Sequence, residues 1–268
     1  MGHNDDHTLD KTNGPFYRRR FPLLPARLRG NGGRYGDSDD RSRFVTPLRG
    51  FLAAGALALA ACAPAVAAES TFDAPAAQRT AKEGTGLKTA IFAGGCFWGV
   101  EAVFSHTKGV TSAVSGYHGG SAATAKYDLV SAGGTGHAEA VKVTYDPSVV
   151  RYDQLLRVLF SVVADPTLKN RQGPDIGSQY RAAIIPLTAE QRQVASAYLS
   201  QMRSSKVWDK PIVVGIEGAK KFYAAEEYHQ DFARKNPNHP YIRRWDAPKV
   251  IALKAMYPSL YSATFQTG

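Results

Sequence analysis

Apolar and polar positions from residue 88 onward follow short blocks, each with the period of one secondary-structure element. Residues 88–93 are an apolar run that ends in two glycines, which predicts a strand and a tight turn. From Cys96 the apolar residues recur three and four apart, which predicts a helix. Residues 110–117 predict a second strand, and the glycine-, alanine- and serine-rich residues 118–136 predict a long loop.

The clearest alternation lies in residues 137–145, where Glu139 shares a face with three apolar side chains and a half-buried strand is predicted. A helical stripe follows over residues 155–163. Next come a strand at residues 180–187 and a helix that opens with the capping box at residues 188–191. Two further elements are predicted near the C-terminus, a strand at residues 212–216 and a helix at residues 224–235.

The order of these elements is β-α-β-β-α-β, followed by α, β and α. The first six match the ferredoxin-like split βαβ arrangement. We therefore expect an α+β fold with a ferredoxin-like split βαβ core, a mixed sheet and extra helices. The folded domain is predicted at residues 87–250, between a linker at residues 69–86 and a C-terminal tail at residues 251–268.

The first 68 residues carry no core pattern. Residues 1–50 predict a disordered extension or an over-extended gene start, and residues 41–68 predict a signal peptide with arginines before a short apolar run. Cleavage after the A-x-A site at residues 65–67 would release a periplasmic protein, whereas a lipobox ending at Cys62 would make that cysteine the lipidated first residue. We expect export, to the periplasm or to a lipid anchor in the bacterial envelope.

Composition narrows the class of protein. The 268 residues are 44% hydrophobic and 21% charged, which is typical of a globular protein. The net charge of +10 includes no basic run after residue 50, so we expect no nucleic-acid partner. Two cysteines cannot build a disulfide scaffold, and the seven histidines lack metal-binding spacing, so no metal is expected.

Cys96 is the strongest candidate for chemistry. It follows two glycines at the first turn of a predicted helix, where backbone N–H groups and the helix dipole favour an anion. We therefore predict a stabilised thiolate. The neighbouring Phe97 and Trp98 suit a soft, partly apolar substrate group. The alternative is a buried, inert cysteine.

Glu139 is the second candidate, because a carboxyl group on the apolar face of a strand is desolvated and its pKa rises. Such a group can act as a general acid near neutral pH. The alternative is a glutamate at a strand end that reaches solvent. Tyr127, Tyr180 and Asp175 lie on or beside loops, where they could hold a polar oxygen or simply pack, and the pattern does not choose.

The stretch Gly95-Cys96-Phe97-Trp98-Gly99 resembles the active-site signature of the peptide methionine sulfoxide reductase A family. The resemblance covers about residues 88–245, in the family's order. Its further motifs lie at residues 116–120, 135–141, 177–181, 225–230 and 236–241. It implies the α/β roll of that family.

The resemblance implies that Cys96 attacks the sulfur of methionine S-sulfoxide, either free or in an oxidised protein, and is left as a sulfenic acid. Glu139 would then donate a proton to the sulfoxide oxygen. The resemblance also implies that Tyr127 and Tyr180 donate hydrogen bonds to that oxygen. It implies that Phe97 and Trp98 contact the methyl group, and that Asp175 adjusts the pocket through hydrogen bonds.

The chain departs from the two-cysteine members of the family, because no cysteine follows Cys96. Cys62 would be cleaved off or lipidated. We therefore expect an external thiol, namely thioredoxin, glutaredoxin or glutathione, to reduce the sulfenic acid. We expect no bound cofactor and a monomer.

Two other functions stay open at this point. A cysteine hydrolase or acyltransferase would pair Cys96 with a histidine and act without a reductant. A basic binding protein, attached to the envelope through Cys62, would not depend on Cys96.

Overall fold

A six-stranded sheet crosses residues 71–268, the part of the chain that the computed structural model describes. Its strands are β1 (Lys88–Gly94), β2 (Val110–His118), β3 (Ala138–Tyr145), β6 (Ala182–Ile185), β7 (Gly215–Ile216) and β8 (Phe222–Ala224). A separate hairpin consists of β4 (Arg171–Gln172) and β5 (Asp175–Ile176). The strand order of the large sheet is β7-β6-β1-β3-β2-β8. All its pairings are antiparallel except β6–β7, so the sheet is mixed.

Six α-helices accompany the sheet in the described part of the chain. They are α1 (Phe97–Ser105), α2 (Tyr127–Ala132), α3 (Tyr152–Val158), α4 (Ala189–Ser204), α5 (Phe232–Lys235) and α6 (Ala247–Met256). Wider π-helical turns extend α3 at Leu159–Val163 and precede α6 at Ile242–Asp246. Within residues 71–268, every helix is too short or too polar to cross a membrane.

The predicted fold class is confirmed. The strands β6-β1-β3-β2 form the centre of the sheet, with α1 connecting β1 to β2 and α3 lying between β3 and β6 in the chain. This is the ferredoxin-like split βαβ arrangement. The edge strands β7 and β8 and the remaining helices are additions to that core.

Strand alternation separates the two faces of the sheet. Phe92 of β1 stacks on Phe104 of α1, with ring centroids 5.0 Å apart, and on Tyr152 of α3 at 5.9 Å. Both helices therefore cover the same face, where the main core lies. Ile91 and Ala93 point to the opposite face, into a smaller apolar cluster. Glu139 falls on the helix-covered face together with the apolar side chains of β3, as its period predicts.

Two local predictions are wrong. The predicted loop at residues 118–136 contains α2, and the predicted helix at residues 224–235 is reduced to α5 at its end. Ala224 instead pairs with Gly116 in the sheet, and Asp231 has a left-handed backbone with φ of 55° that interrupts a helix. These tertiary contacts override the helical spacing.

The structure also extends the domain at both ends. Residues 71–86 form no regular element, yet Ala74 is fully buried and Ala81 donates its N–H to Asp153 at 2.9 Å, so this part of the predicted linker packs on the domain. Within the predicted tail, Leu253 is fully buried in the core. The predictions for residues 1–50 and 41–68, with Cys62, lie outside the described residues.

Candidate active site

The site forms where β1 ends and α1 begins. Gly95 has a φ of +95°, and a Cβ there would lie 2.6 Å from the Cβ of Gln172, so this turn requires glycine. The turn places Cys96 at the N-cap of α1, beside the β4–β5 hairpin that carries Gln172. The Cys96 thiol therefore lies at the end of β1, on the helix-covered face of the sheet.

Cys96 is only partly exposed. Its surroundings shift the pKa of the thiol in the direction opposite to the prediction. Burial raises its pKa well above the usual value, and the carboxyl groups of Glu139, Asp246 and Asp175 raise it further. A hydrogen bond from the Trp98 N–H acts in the opposite direction but is outweighed. The prediction of a stabilised thiolate is therefore wrong for the free protein, in which Cys96 is a protonated thiol.

Glu139 lies directly beside this turn. Its side chain is 2% exposed, and its Oε2 accepts the Phe97 N–H at 2.9 Å. Burial raises the pKa of Glu139 to about 8, against the Phe97 hydrogen bond and with a contribution from the charge of Asp175. At neutral pH the group is a neutral carboxylic acid, as its place on the apolar face predicts. The solvent-reaching alternative does not apply.

Tyr127 and Tyr180 approach the same site from different elements. Tyr127 begins α2, and Tyr180 ends a short 3₁₀ turn at Ser178–Tyr180. Burial raises the pKa of Tyr127 to about 12, with contributions from the charges of Glu139 and Cys96. Burial likewise raises the pKa of Tyr180, again with Glu139 and Cys96 among the causes. Both hydroxyls therefore stay protonated and can donate hydrogen bonds.

Aromatic side chains line the site. Phe97 is almost fully buried, with its ring centroid 5.0 Å from that of His229. The Trp98 indole stacks on Phe232 at 3.8 Å between centroids and donates its Nε1–H to His229 Nδ1 at 3.1 Å. These contacts hold Trp98 rigidly, and the rings present apolar surface beside the thiol.

Asp175 lies on β5 and accepts a hydrogen bond from the hydroxyl of Tyr241. Burial raises the pKa of Asp175, while this bond and the charge of Lys249 act against it. Tyr241 also meets the edge of Trp98, with centroids 5.8 Å apart. The tyrosine thus links the β4–β5 hairpin to the aromatic wall.

Glu226, His229 and Tyr241 belong to the site although their roles were not predicted. Glu226 accepts the Tyr127 N–H at 2.9 Å and the Tyr117 hydroxyl at 2.7 Å, so it ties α2 to the sheet. Burial acts to raise the pKa of Glu226, but these bonds outweigh it and keep the pKa below its usual range. The signal was present, since all three residues lie in motifs that carry the resemblance.

The site brings together every residue that the sequence predicted for it, namely Cys96, Glu139, Tyr127, Tyr180, Asp175, Phe97 and Trp98. Their arrangement places a thiol, a neutral acid and two phenolic groups close to one another, beside aromatic side chains. This set can attack a soft electrophile while a proton is delivered to the oxygen bound to it.

Comparisons with known proteins agree with this chemistry. A family model for peptide methionine sulfoxide reductase matches residues 88–258. The chain is 55% identical to the reductase MsrA 2 of Mesorhizobium japonicum over 68% of this chain and 93% of the relative. It is 49% identical to the MsrA 2 of Synechocystis over 64% and 80%. A solved methionine sulfoxide reductase A of Corynebacterium diphtheriae, 32% identical, covers 57% of this chain and 77% of its own, with a TM-score of 0.49. The chain belongs to the peptide methionine sulfoxide reductase family.

Proposed function

We propose that the protein reduces the S epimer of methionine sulfoxide, free or within oxidised proteins, and that Cys96 and Glu139 carry the reaction. The observation that supports this most directly is the position of Glu139, which is buried and protonated at neutral pH. Its carboxyl group accepts the N–H of Phe97, the residue that follows Cys96. An acid and a thiol in this arrangement can act on the two ends of one S=O bond.

The reaction balances with these two groups. Glu139 gives its proton to the sulfoxide oxygen and becomes a carboxylate, and the Cys96 thiol loses its proton as Sγ attacks the substrate sulfur. That proton restores the acid form of Glu139. The oxygen then passes to Sγ, the S–O bond of the substrate and the S–S bond formed in the attack both break, and methionine and a Cys96 sulfenic acid are formed. The substrate sulfur gains two electrons, and Sγ loses them.

The two tyrosines have the role of oxyanion donors in this scheme. We expect Tyr127→Phe and Tyr180→Phe each to lower kcat about 10²- to 10³-fold, because each removes one hydrogen bond to the oxygen that gains charge in the transition state. KM should change little. Tyr198→Phe, whose hydroxyl bonds to the Pro75 carbonyl at 2.9 Å outside the site, is the matched control and should keep its kcat. Unchanged kcat in both active-site variants would remove the donor role.

Recycling of Cys96 requires a reductant from outside the chain in this proposal. No cysteine follows Cys96 in the sequence. One thiol would convert the sulfenic acid to a mixed disulfide and water, and a second thiol would release Cys96. Thioredoxin, a glutaredoxin or glutathione can each supply these two thiols.

Turnover without a reductant tests the function and the recycling together. The full chain, mixed with methionine S-sulfoxide and no thiol, should form about one methionine per molecule, with Cys96 trapped as a sulfenic acid by a dimedone-type probe. Absence of methionine would overturn the function. A Cys62–Cys96 disulfide in place of the probe-labelled sulfenic acid would overturn the external-thiol cycle, since an internal resolving thiol also gives one methionine per molecule.

The cysteine hydrolase alternative finds no support. A hydrolase would need a histidine bonded to the Cys96 thiol. Within residues 71–268 the thiol has a hydrogen bond from the Trp98 N–H and none from a histidine. His229, which packs against Phe97 and Trp98, already accepts the Trp98 indole N–H at its Nδ1. The family assignment also favours sulfoxide reduction.

We further propose export of the protein, on the strength of the signal-like pattern at residues 41–68. We also propose that it is a monomer. Cys62 then becomes either a lipid anchor in the envelope or part of a discarded peptide. The mass of the mature N-terminus distinguishes these outcomes, and sedimentation measures the oligomeric state.

A further inference from the structure

One more carboxyl group lies beside the predicted site residues, on the segment that follows the edge strand β8. Glu226 is half-buried, and its two carboxyl oxygens have different partners. Oε1 accepts the Tyr127 N–H at 2.9 Å, and Oε2 accepts the Tyr117 hydroxyl at 2.7 Å. Glu226 therefore joins β2, which carries Tyr117, to the first residue of α2.

The Tyr117 end of this link is fixed within the core. Tyr117 is fully buried, and its ring centroid lies 5.9 Å from that of Phe97. It pairs with Glu139 across β2 and β3, so the two side chains are neighbours on the same face of the sheet. Because Tyr117 donates its single hydroxyl hydrogen to Glu226, it serves as an anchor rather than as a donor to the substrate.

The Tyr127 end of the link is held by fewer contacts. α2 has six residues, of which only Val130 is buried, and Lys126 before it provides no side-chain cap. The first N–H groups of a helix have no acceptor within the helix, and so short a helix is not stable alone. Within residues 71–268, the acceptor for the Tyr127 N–H is Glu226. Glu226 therefore fixes the backbone of Tyr127, while a ring contact with His229, 4.3 Å between centroids, orients its side chain.

We propose that Glu226 is a positioning residue that holds the Tyr127 hydroxyl where it donates to the sulfoxide oxygen. The link runs from the buried Tyr117 through the Glu226 carboxylate to the backbone of Tyr127. The catalytic consequence rests on the proposed function, in which Tyr127 is an oxyanion donor. Glu226 is assigned no contact with the substrate or with Cys96.

A double-mutant cycle tests whether Glu226 acts through Tyr127. Glu226→Met keeps the length of the side chain but accepts no hydrogen bond. We expect it to lower kcat about 10- to 100-fold with little change in KM, because a displaced donor loses most of its effect on the transition state. In a chain with Tyr127→Phe, the same change should lower kcat about twofold or less, since the hydroxyl that Glu226 positions is already absent. In a chain with Tyr180→Phe, it should still lower kcat about tenfold or more.

Two further variants separate the hydrogen bonds from general damage to the fold. Glu226→Gln should keep most of the kcat that Glu226→Met loses, because its amide oxygen accepts the Tyr127 N–H and its NH₂ group donates to the Tyr117 oxygen. Glu227→Met makes the same change at the next residue, whose side chain is 91% accessible, and should leave kcat unchanged.

Tyr117→Phe is a milder variant that carries the same cycle if Glu226→Met does not fold. It keeps the ring in the core but frees one oxygen of Glu226. The loss of kcat should be smaller than in Glu226→Met and should again disappear in a chain with Tyr127→Phe.

Hydrogen exchange of α2 measures the link without catalysis. The backbone N–H groups of Tyr127–Ala132 should exchange about tenfold faster in Glu226→Met than in Glu226→Gln or Glu227→Met, because the start of the helix opens more often. A chain that forms no methionine but shows this faster exchange would keep the link and lose only the proposed function.

Three results would each overturn the proposal. The first is a loss of kcat in Glu226→Met that is equally large with and without Tyr127→Phe, which would show that Glu226 does not act through Tyr127. The second is an equal loss in Glu226→Gln and Glu226→Met. The third is unchanged hydrogen exchange of α2 in Glu226→Met.

Discussion

Cys96→Ser is expected to form no measurable methionine from methionine S-sulfoxide, a loss on the order of 10⁴-fold or more in kcat/KM. A serine hydroxyl is far less acidic and less nucleophilic than a thiol. It would also have to accept the sulfoxide oxygen through an O–O bond, which is much weaker than the S–O bond of a sulfenic acid. The chemistry therefore needs sulfur at this position, and the measurement is methionine formed per molecule with a thiol reductant present.

Cys62→Ala is the matched control for this variant, because it removes the other cysteine of the chain. Purified Cys62→Ala should keep the activity of the unmodified sequence. The Cys96→Ser protein should keep its circular dichroism spectrum, since serine differs from cysteine by one atom in a partly buried position. Residual activity above a hundredth of the original would mean that another group attacks the sulfoxide.

Glu139→Gln is expected to lower kcat about 10²- to 10⁴-fold, the usual contribution of a general acid. The amide keeps the shape of the side chain and can still accept the Phe97 N–H, which is bonded to Oε2 at 2.9 Å. It cannot deliver a proton. Glu227→Gln, at an exposed glutamate whose side chain is 91% accessible, is the matched control and should leave kcat unchanged.

The pH dependence of the same variant gives an independent test. Glu139 must be protonated to act, and its pKa in the free folded protein is about 8, so kcat/KM should be constant below pH 7 and fall as pH rises through about 8. This fall should disappear in Glu139→Gln. A fall that persists there with the same midpoint would assign it to another group and overturn the role of Glu139.

Stability should follow the same titration. The folded pKa of Glu139 lies above its unfolded value. Its contribution to the free energy of unfolding is therefore present in full below the unfolded pKa and is lost as pH rises from there through about 8. The free energy of unfolding of the unmodified sequence should fall between these two pH values. In Glu139→Gln it should fall less, because no buried carboxylate can form.

Much of the fold follows from local pattern. The strict alternation of β3 placed Glu139 on the buried face, and the glycines before Cys96 located the turn between β1 and α1. These features depend on neighbours in the chain, so a single sequence reveals them. The elements of the C-terminal third were harder to predict. Residues 224–235 have helical spacing, but Ala224 pairs in the sheet and Asp231 has a left-handed backbone.

The sequence by itself determined the split βαβ core, the candidate thiol, the buried acid and, through its ordered motifs, the family. Only the tertiary structure decided the protonation state of Cys96 and the partners of Glu226, Tyr241, Asp246 and Lys249. The helix N-terminus favours a thiolate, but burial and carboxyl groups from β3, β5 and the start of α6 outweigh it. Electrostatic effects act through space, and groups more than 40 residues apart in the chain set the charge of one sulfur atom.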